Sequence, residues 1–253
     1  MKKFTKDLAA IILMASIVGV VGCKSMNVSN VRTDTHEYVD LGLPSGILWA
    51  TCNIGATTPE DYGNYYAWGE TETKIVYEWE TYKHAKGKSN KLTKYCNNSY
   101  CAIGFSDTLT KLEGCDDPAT SWGRGWHTPT ETQWNELQQN TTNQWTTQNG
   151  VKGRLFTASN GNTLFLPAAG YRWDSVLYSA VSDGLYWSRS LDTESPFYAW
   201  DLHFDSKNCG MSNDLRGYGF SVRPVRESIL QPSGRSGGAH GEGIGTEEKK
   251  ESR

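Results

Sequence analysis

Between Trp200 and Asp205 the chain alternates without a break. Trp200, Leu202 and Phe204 are apolar; Asp201, His203 and Asp205 are polar. A period of two predicts a strand with one side in a core and a polar side opposite. Over residues 186–225, Tyr186, Trp187, Ala199, Trp200, Leu202, Phe204, Phe220, Val222 and Val225 are expected to fill that core. Interleaved with them are Arg189, Asp192, Phe197, Tyr198, Asp201, His203, Asp205, Asn208, Gly210, Ser212, Asn213, Asp214, Gly217 and Tyr218, which follow no packing pattern. Every residue type in this second set is reachable from an asparagine codon by changing its adenines, and Cys209 and Leu215 fit as well; Glu194, Lys207 and Met211 do not, and would be fixed. Two readings stand side by side. The polar set is an ordinary solvated sheet face with its turns, or it is a set of positions diversified on a constant scaffold.

The 253 residues suffice for one sizeable domain plus appendages. A net charge of -3 gives no bulk attraction to nucleic acid, and none is expected as a partner. Ten Trp, 13 Tyr and 26 Gly, with few long apolar runs, predict an α+β fold of short strands, few helices and long loops.

Lys2, Lys3 and Lys6 precede an apolar run from Leu8 to Val21, which has the length of a signal segment and is short for a membrane span. The run ends in Val20-Val21-Gly22-Cys23, which resembles the processing box of bacterial lipoproteins. The resemblance implies a signal peptide over 1–22, lipidation of Cys23, anchoring in a membrane and a place in the cell envelope as an outer-membrane lipoprotein. Residues 23–36 read as a tether without the acidic run that often follows the lipid-bearing cysteine in surface-exported lipoproteins of Bacteroidetes. Beyond Cys23 stand Cys52, Cys96, Cys101, Cys115 and Cys209, an odd number. Cys96 and Cys101 are near enough in sequence for a small disulfide loop, and no spacing suggests zinc.

In chain order, Tyr38–Leu41 and Ile47–Ala50 read as strands around a Gly-Leu-Pro-Ser-Gly turn, and 71–118 as a long insertion. Asp116-Asp117 reads as a helix or turn start in preference to a cation site. Thr128 is expected to cap a helix, with Pro129 at its first position and Glu131 closing a capping box; Trp134 and Leu137 share its buried face, and it ends near Asn140. His127 reads as structural. Asn149-Gly150 and Asn160-Gly161 predict tight turns between strands. The tail over 227–253 is rich in glycine and charge and is expected to be disordered.

The stretch EYVDLGLPSGILWATCNIGATTPEDYGNYYAWGET over 37–71 resembles the opening of the Fibrobacter succinogenes major paralogous domain family of Bacteroidetes exported proteins. Further similar blocks are Leu112–Ala119, Thr163–Arg172, Tyr186-Trp187-Ser188 and Gly219–Arg226, and Trp122–Leu137 also resembles C-type-lectin-like and formylglycine-generating-enzyme folds. The resemblance implies a C-type-lectin-like domain over 37–226. It also implies that 186–225 is similar to the variable region of proteins diversified by retroelements. The ligand-binding set is then Arg189, Asp192, Phe197, Tyr198, Asp201, His203, Asp205, Asn208, Gly210, Ser212, Asn213, Asp214 and Tyr218. Its mix of Tyr, Ser, Gly, Asn and Asp resembles an antibody paratope, and the ligand is a protein or a glycan.

The sugar-binding tripeptides of calcium lectins are absent, and no cofactor or metal is expected. An enzyme is not expected either. The copper site of formylglycine-generating enzymes needs two cysteines where this chain offers Cys209, and no His-Glu-x-x-His or serine elbow occurs. The alternative is a structural or fimbria-associated subunit of the cell envelope.

Overall fold

The last strand of the domain lies in the middle of its first sheet. In the computed structural model, which describes residues 36–98, 101 and 104–228, strands β1 (Tyr38–Asp40), β2 (Ile47–Ala50), β3 (Trp126–His127) and β12 (Val225–Glu227) order as β1-β2-β12-β3, all neighbours antiparallel. The described residues all belong to one unit beginning at His36. Cys23, the signal segment, residues 23–35 of the tether and the tail from 229 onward lie outside the described residues. Among the described residues, no helix is long and apolar enough to cross a membrane.

Two further antiparallel sheets follow: β4 (Thr141–Gln148), β5 (Val151–Ala158) and β6 (Thr163–Pro167) in sequence order, and β9 (Gly184–Leu191), β10 (Tyr198–Phe204) and β11 (Cys209–Leu215) in the order β11-β10-β9. A hairpin of β7 (Tyr171–Trp173) and β8 (Val176–Tyr178) stands apart. Among the described residues the α-helices are α1 (Pro118–Trp122) and α2 (Glu131–Asn140), and a 3-10 turn spans Gly114–Asp116. The fold is therefore sheet-rich α+β with few helices. Asn149 and Gly150 both take positive φ (47° and 85°), the backbone that the two-residue hairpin between β4 and β5 requires.

Helix α2 starts two residues later than its sequence suggests. Thr130 is the cap and Gln133 closes the capping box, where Thr128 and Glu131 were expected. The Thr128 hydroxyl is already committed, donating to Asp117 Oδ1 at 2.6 Å, and the Pro129 carbonyl accepts from the Arg189 N–H at 2.8 Å. Both contacts hold 128–129 extended. Trp134 and Leu137 are buried as expected.

Asp117 is the pivot of this region. Fully buried, it caps α1 through the Ala119 N–H and takes both the N–H and the hydroxyl of Thr128. Asp117→Ala leaves those three donors without acceptors in the core. We expect a loss of about 2–3 kcal/mol, read as a lower urea midpoint at unchanged slope.

Among its described residues, the long stretch over 71–118 has little regular structure, yet it is packed. Tyr77, Tyr82, Leu92, Tyr95, Cys96 and Cys101 are buried in it, and Cys96 and Cys101 form a disulfide. Tyrosine hydroxyls supplement isolated backbone bridges: Tyr77 donates to the Tyr65 carbonyl at 2.6 Å and Tyr82 to that of Trp68 at 2.7 Å. Arg216 closes the assembly. Its guanidinium is fully buried and donates to Tyr82 Oη and to the carbonyls of Tyr95, Pro196 and Lys94, lying 4.8 Å from the Trp68 ring centre. Asp116 takes Lys83, Lys94 and the Tyr95 hydroxyl.

Candidate functional site

The β9-β10-β11 sheet has a core on each side. Tyr186, Leu202 and Phe204 belong to the cluster that includes Trp134 and Leu137 of α2. On the other side Leu185, Trp187, Leu191 and Ala199 pack with Phe220 and Val222. The alternation in β10 is therefore real, but both faces are largely covered. The core set is buried except Trp200, which is half-buried.

This overturns the picture of an open polar face. Asp201 shares its face with Ala199 and His203, next to Trp187, and has no exposure at all. Asp192 is buried as well. It accepts from the Glu194 and Ser195 N–H groups, fixing the turn after β9, and from Asn213 Nδ2 at 2.7 Å. Arg189 turns away to donate to the Leu112 carbonyl, and Phe197 packs against the tyrosine cluster of Tyr77 and Tyr82. Asp205 lies beyond the end of β10, where it accepts from the Lys207 and Asn208 N–H groups at 2.6 Å each and shapes the β10–β11 turn. Those hydrogen bonds hold its carboxyl below the usual range. Arg189, Asp192, Phe197, Asp201 and Asp205 thus carry structure and are not freely presented side chains. Gly217 is buried.

What remains together is narrower. Tyr198, His203, Gly210, Ser212, Asp214 and Tyr218 are partly open, and His203 lies 3.1 Å from Asp183 Oδ1. On β11, Gly210, Ser212 and Asp214 pair with His203, Asp201 and Ala199, so these three pairs share one face, while Tyr198, opposite Leu215, lies on the other. Asn208 and Asn213 are exposed, at the turn and beside Asp192.

The structure extends this patch with residues that the sequence pattern did not single out. The β7–β8 hairpin lays Tyr171 against Tyr218 (ring centres 5.6 Å apart) and against Tyr178 (5.5 Å, stacked), while Trp173 meets Tyr218 edge-on at 4.7 Å. Gly170 makes the approach feasible: its φ is 64°, and a Cβ there would sit 2.1 Å from the Tyr178 carbonyl oxygen. Gly219 exchanges backbone hydrogen bonds with Arg172, locking the hairpin beside Tyr218. Val176, Tyr178 and Val181 are 44%, 41% and 52% exposed, forming the outer rim. The only sequence signal for the hairpin was aromatic density around Tyr171–Trp173.

The electrostatics are one-sided. Burial raises the Asp214 carboxyl to about 6, against the opposing pull of His203. Burial, reinforced by the Asp214 charge, raises Asp201 well above the carboxylate range. Neither oxygen of Asp201 has a hydrogen-bond partner.

Elsewhere, Glu113, Cys115 and Asp116 bring ligand-type atoms within 4.8 Å of one another, but Lys94 bridges the two carboxylates. Burial pushes the free Cys209 thiol up to about 11, the wrong direction for a nucleophile or metal ligand. His127 is largely enclosed, 3.4 Å from Gln133 Nε2, and burial lowers its pKa. No family model, curated protein or solved structure matches the chain.

Proposed function

We propose that this chain is an exported, lipid-anchored protein that binds a ligand on the face shared by β7–β8, β10 and β11. The observation that carries the reading is the joined surface of Tyr171, Tyr178 and Tyr218 with His203, Asp183 and Asp214, backed by a sheet that is packed on its other side. Tyr supplies large contact area at low entropic cost, and half-open polar groups add direction. A C-type-lectin-like scaffold of the Bacteroidetes family suits such a rigid backing and belongs to this proposal.

Diversification at adenines would act on Tyr198, His203, Asn208, Gly210, Ser212, Asn213, Asp214 and Tyr218. Of these, Gly210 has nothing within 4 Å of an added Cβ, so substitution there meets open space. Catalysis is not proposed, given the protonated state that burial favours for Cys209.

The test has two arms. A peptide or glycan library selected on the full chain should yield ligands whose binding drops about tenfold or more in Tyr178→Ala or His203→Ala, both on half-open side chains. Selected ligands indifferent to both changes would sink the binding face. For diversification, the flanking DNA should hold a near-copy of the codons for 186–225 that differs at adenines, beside a reverse transcriptase gene. An ordinary locus removes that part and leaves the binding arm to be decided by the library.

A further inference from the structure

Asp201 poses the question. A carboxyl with no solvent contact and no hydrogen-bond partner is rare in a folded protein and needs a physical account. Its nearest acidic neighbour across the ladder is Asp214: Asp201 pairs with Ser212 and Ala199 with Asp214, so the two carboxyls are diagonal neighbours on one face. Asp183 stands at the same face through His203. Three acids therefore lie along this face, spaced apart, beside three tyrosines.

The charged groups acting on Asp201, Asp214, Tyr171 and Tyr218 are acids, tyrosines and His203, with no lysine or arginine among them. Arg172, on the hairpin itself, stacks over the Tyr65 ring at 5.2 Å. No fixed cation stands among them to hold an anion. A metal ion needs ligand atoms drawn closely around one point. Among the described residues, the single group of three that meets a 4.8 Å limit is at Glu113, Cys115 and Asp116, so Asp183, His203, Asp201 and Asp214 are spread too widely.

We infer that this face takes an organic cation, a guanidinium or alkylammonium group on the ligand, with its apolar part over Tyr171, Tyr178 and Tyr218 and its charge toward Asp214 and Asp183. The inference rests on the binding face proposed above and names what that face selects. Aromatic rings attract such cations through their faces, and a guanidinium spans separated carboxylates in a way that a small metal ion does not. The cation also answers Asp201. A positive charge at Asp214 reduces the repulsion between the two acids and the cost of ionising either.

Binding is then linked to protons. The groups near Asp214 are Asp201 and His203 on β10, Tyr171 on the hairpin and Tyr218, with Asp183 beyond His203 and Tyr178 beyond Tyr171. Asp214 is charged above about 6 and neutral below it, so the affinity for a cation falls as pH drops through that value.

The probe is a capped Gly-Arg-Gly peptide, with Gly-citrulline-Gly as its neutral isostere and Gly-Lys-Gly as the ammonium arm. Each is titrated by calorimetry into the full chain at low salt. The arginine or lysine peptide should bind saturably and at least about tenfold more tightly than citrulline. Asp214→Asn, which keeps the side chain's shape, should erase most of that difference, and Tyr178→Ala should weaken binding about fivefold or more. Binding should weaken by a similar factor between about pH 7.5 and pH 5. Equal binding of arginine and citrulline, no binding of any cationic peptide, or indifference to Asp214→Asn overturns the inference. Library ligands that lack cations yet depend on Tyr178 or His203 keep the binding face while discarding the cation, whereas failure of the wider reading is ligands indifferent to both changes.

Discussion

Replacing Asp201 by asparagine stabilises the domain at about pH 8 by on the order of 2 kcal/mol and changes little near pH 4. Both oxygens of Asp201 are buried without partners, so its folded pKa is raised. Well below the ordinary carboxylate value, the folded and unfolded chains both carry the proton and no stability is at stake. As pH rises, the unfolded chain ionises first while the folded chain holds its proton or bears a buried charge. Stability is therefore lost with rising pH, and asparagine removes the loss. The gap in Tm between the two proteins should open from near zero to about 6 °C for a domain of this size. A gap independent of pH would show that packing, and not ionisation, dominates at 201.

Asp116 gives the opposite sign. Burial alone would raise its pKa, but Lys83, Lys94 and Tyr95 hold it down to about 2, so it supports the fold above about 3.8 and the support fades as pH falls toward 2.

Arg216→Ala destabilises the domain by about 3–5 kcal/mol, the largest loss expected from any single change discussed. The side chain gathers three carbonyls and a tyrosine hydroxyl that have no regular strand to satisfy them, and it fills the space between Trp68, Tyr82 and Tyr95. Arg216→Lys should recover little, because an ammonium cannot reproduce the planar fork. Urea melts of both variants check this, and hydrogen exchange should show the loss concentrated over 77–101. A lysine variant as stable as the parent would mean that charge alone matters there.

The strands were legible where side-chain period and turn chemistry agreed. Tyr38–Asp40, Ile47–Ala50 and the hairpin around Asn149-Gly150 follow directly from such signals. The start of α2 was misjudged because three threonines near Pro129 all look like caps; only the contact from Asp117, 11 residues away, decides that Thr128 is not the one. The stretch over 71–118 reads as loop because tyrosine hydroxyls and Arg216, contributed from far along the chain, take the place of a periodic pattern.

The candidate site was half legible. Alternation found β10, but it does not reveal that a second core covers the other face and seals Asp201. Nor does the code for exposure separate Asp192, which holds a turn, from Asp214, which faces the aromatic patch. Tyr171 and Tyr178 joined the site only because β7 and β8 fold back beside Tyr218.

Val225–Glu227, the last strand, fills the gap between β2 and β3. The order of synthesis then matters. Until residue 227 has left the ribosome, Ile47–Ala50 and Trp126–His127 have no shared partner, so the first sheet waits for its last strand while the other three sheets do not contain it. A topology closed over such sequence separation folds slowly. It leaves the first sheet of the nascent chain open for longer than the three that close on nearby residues.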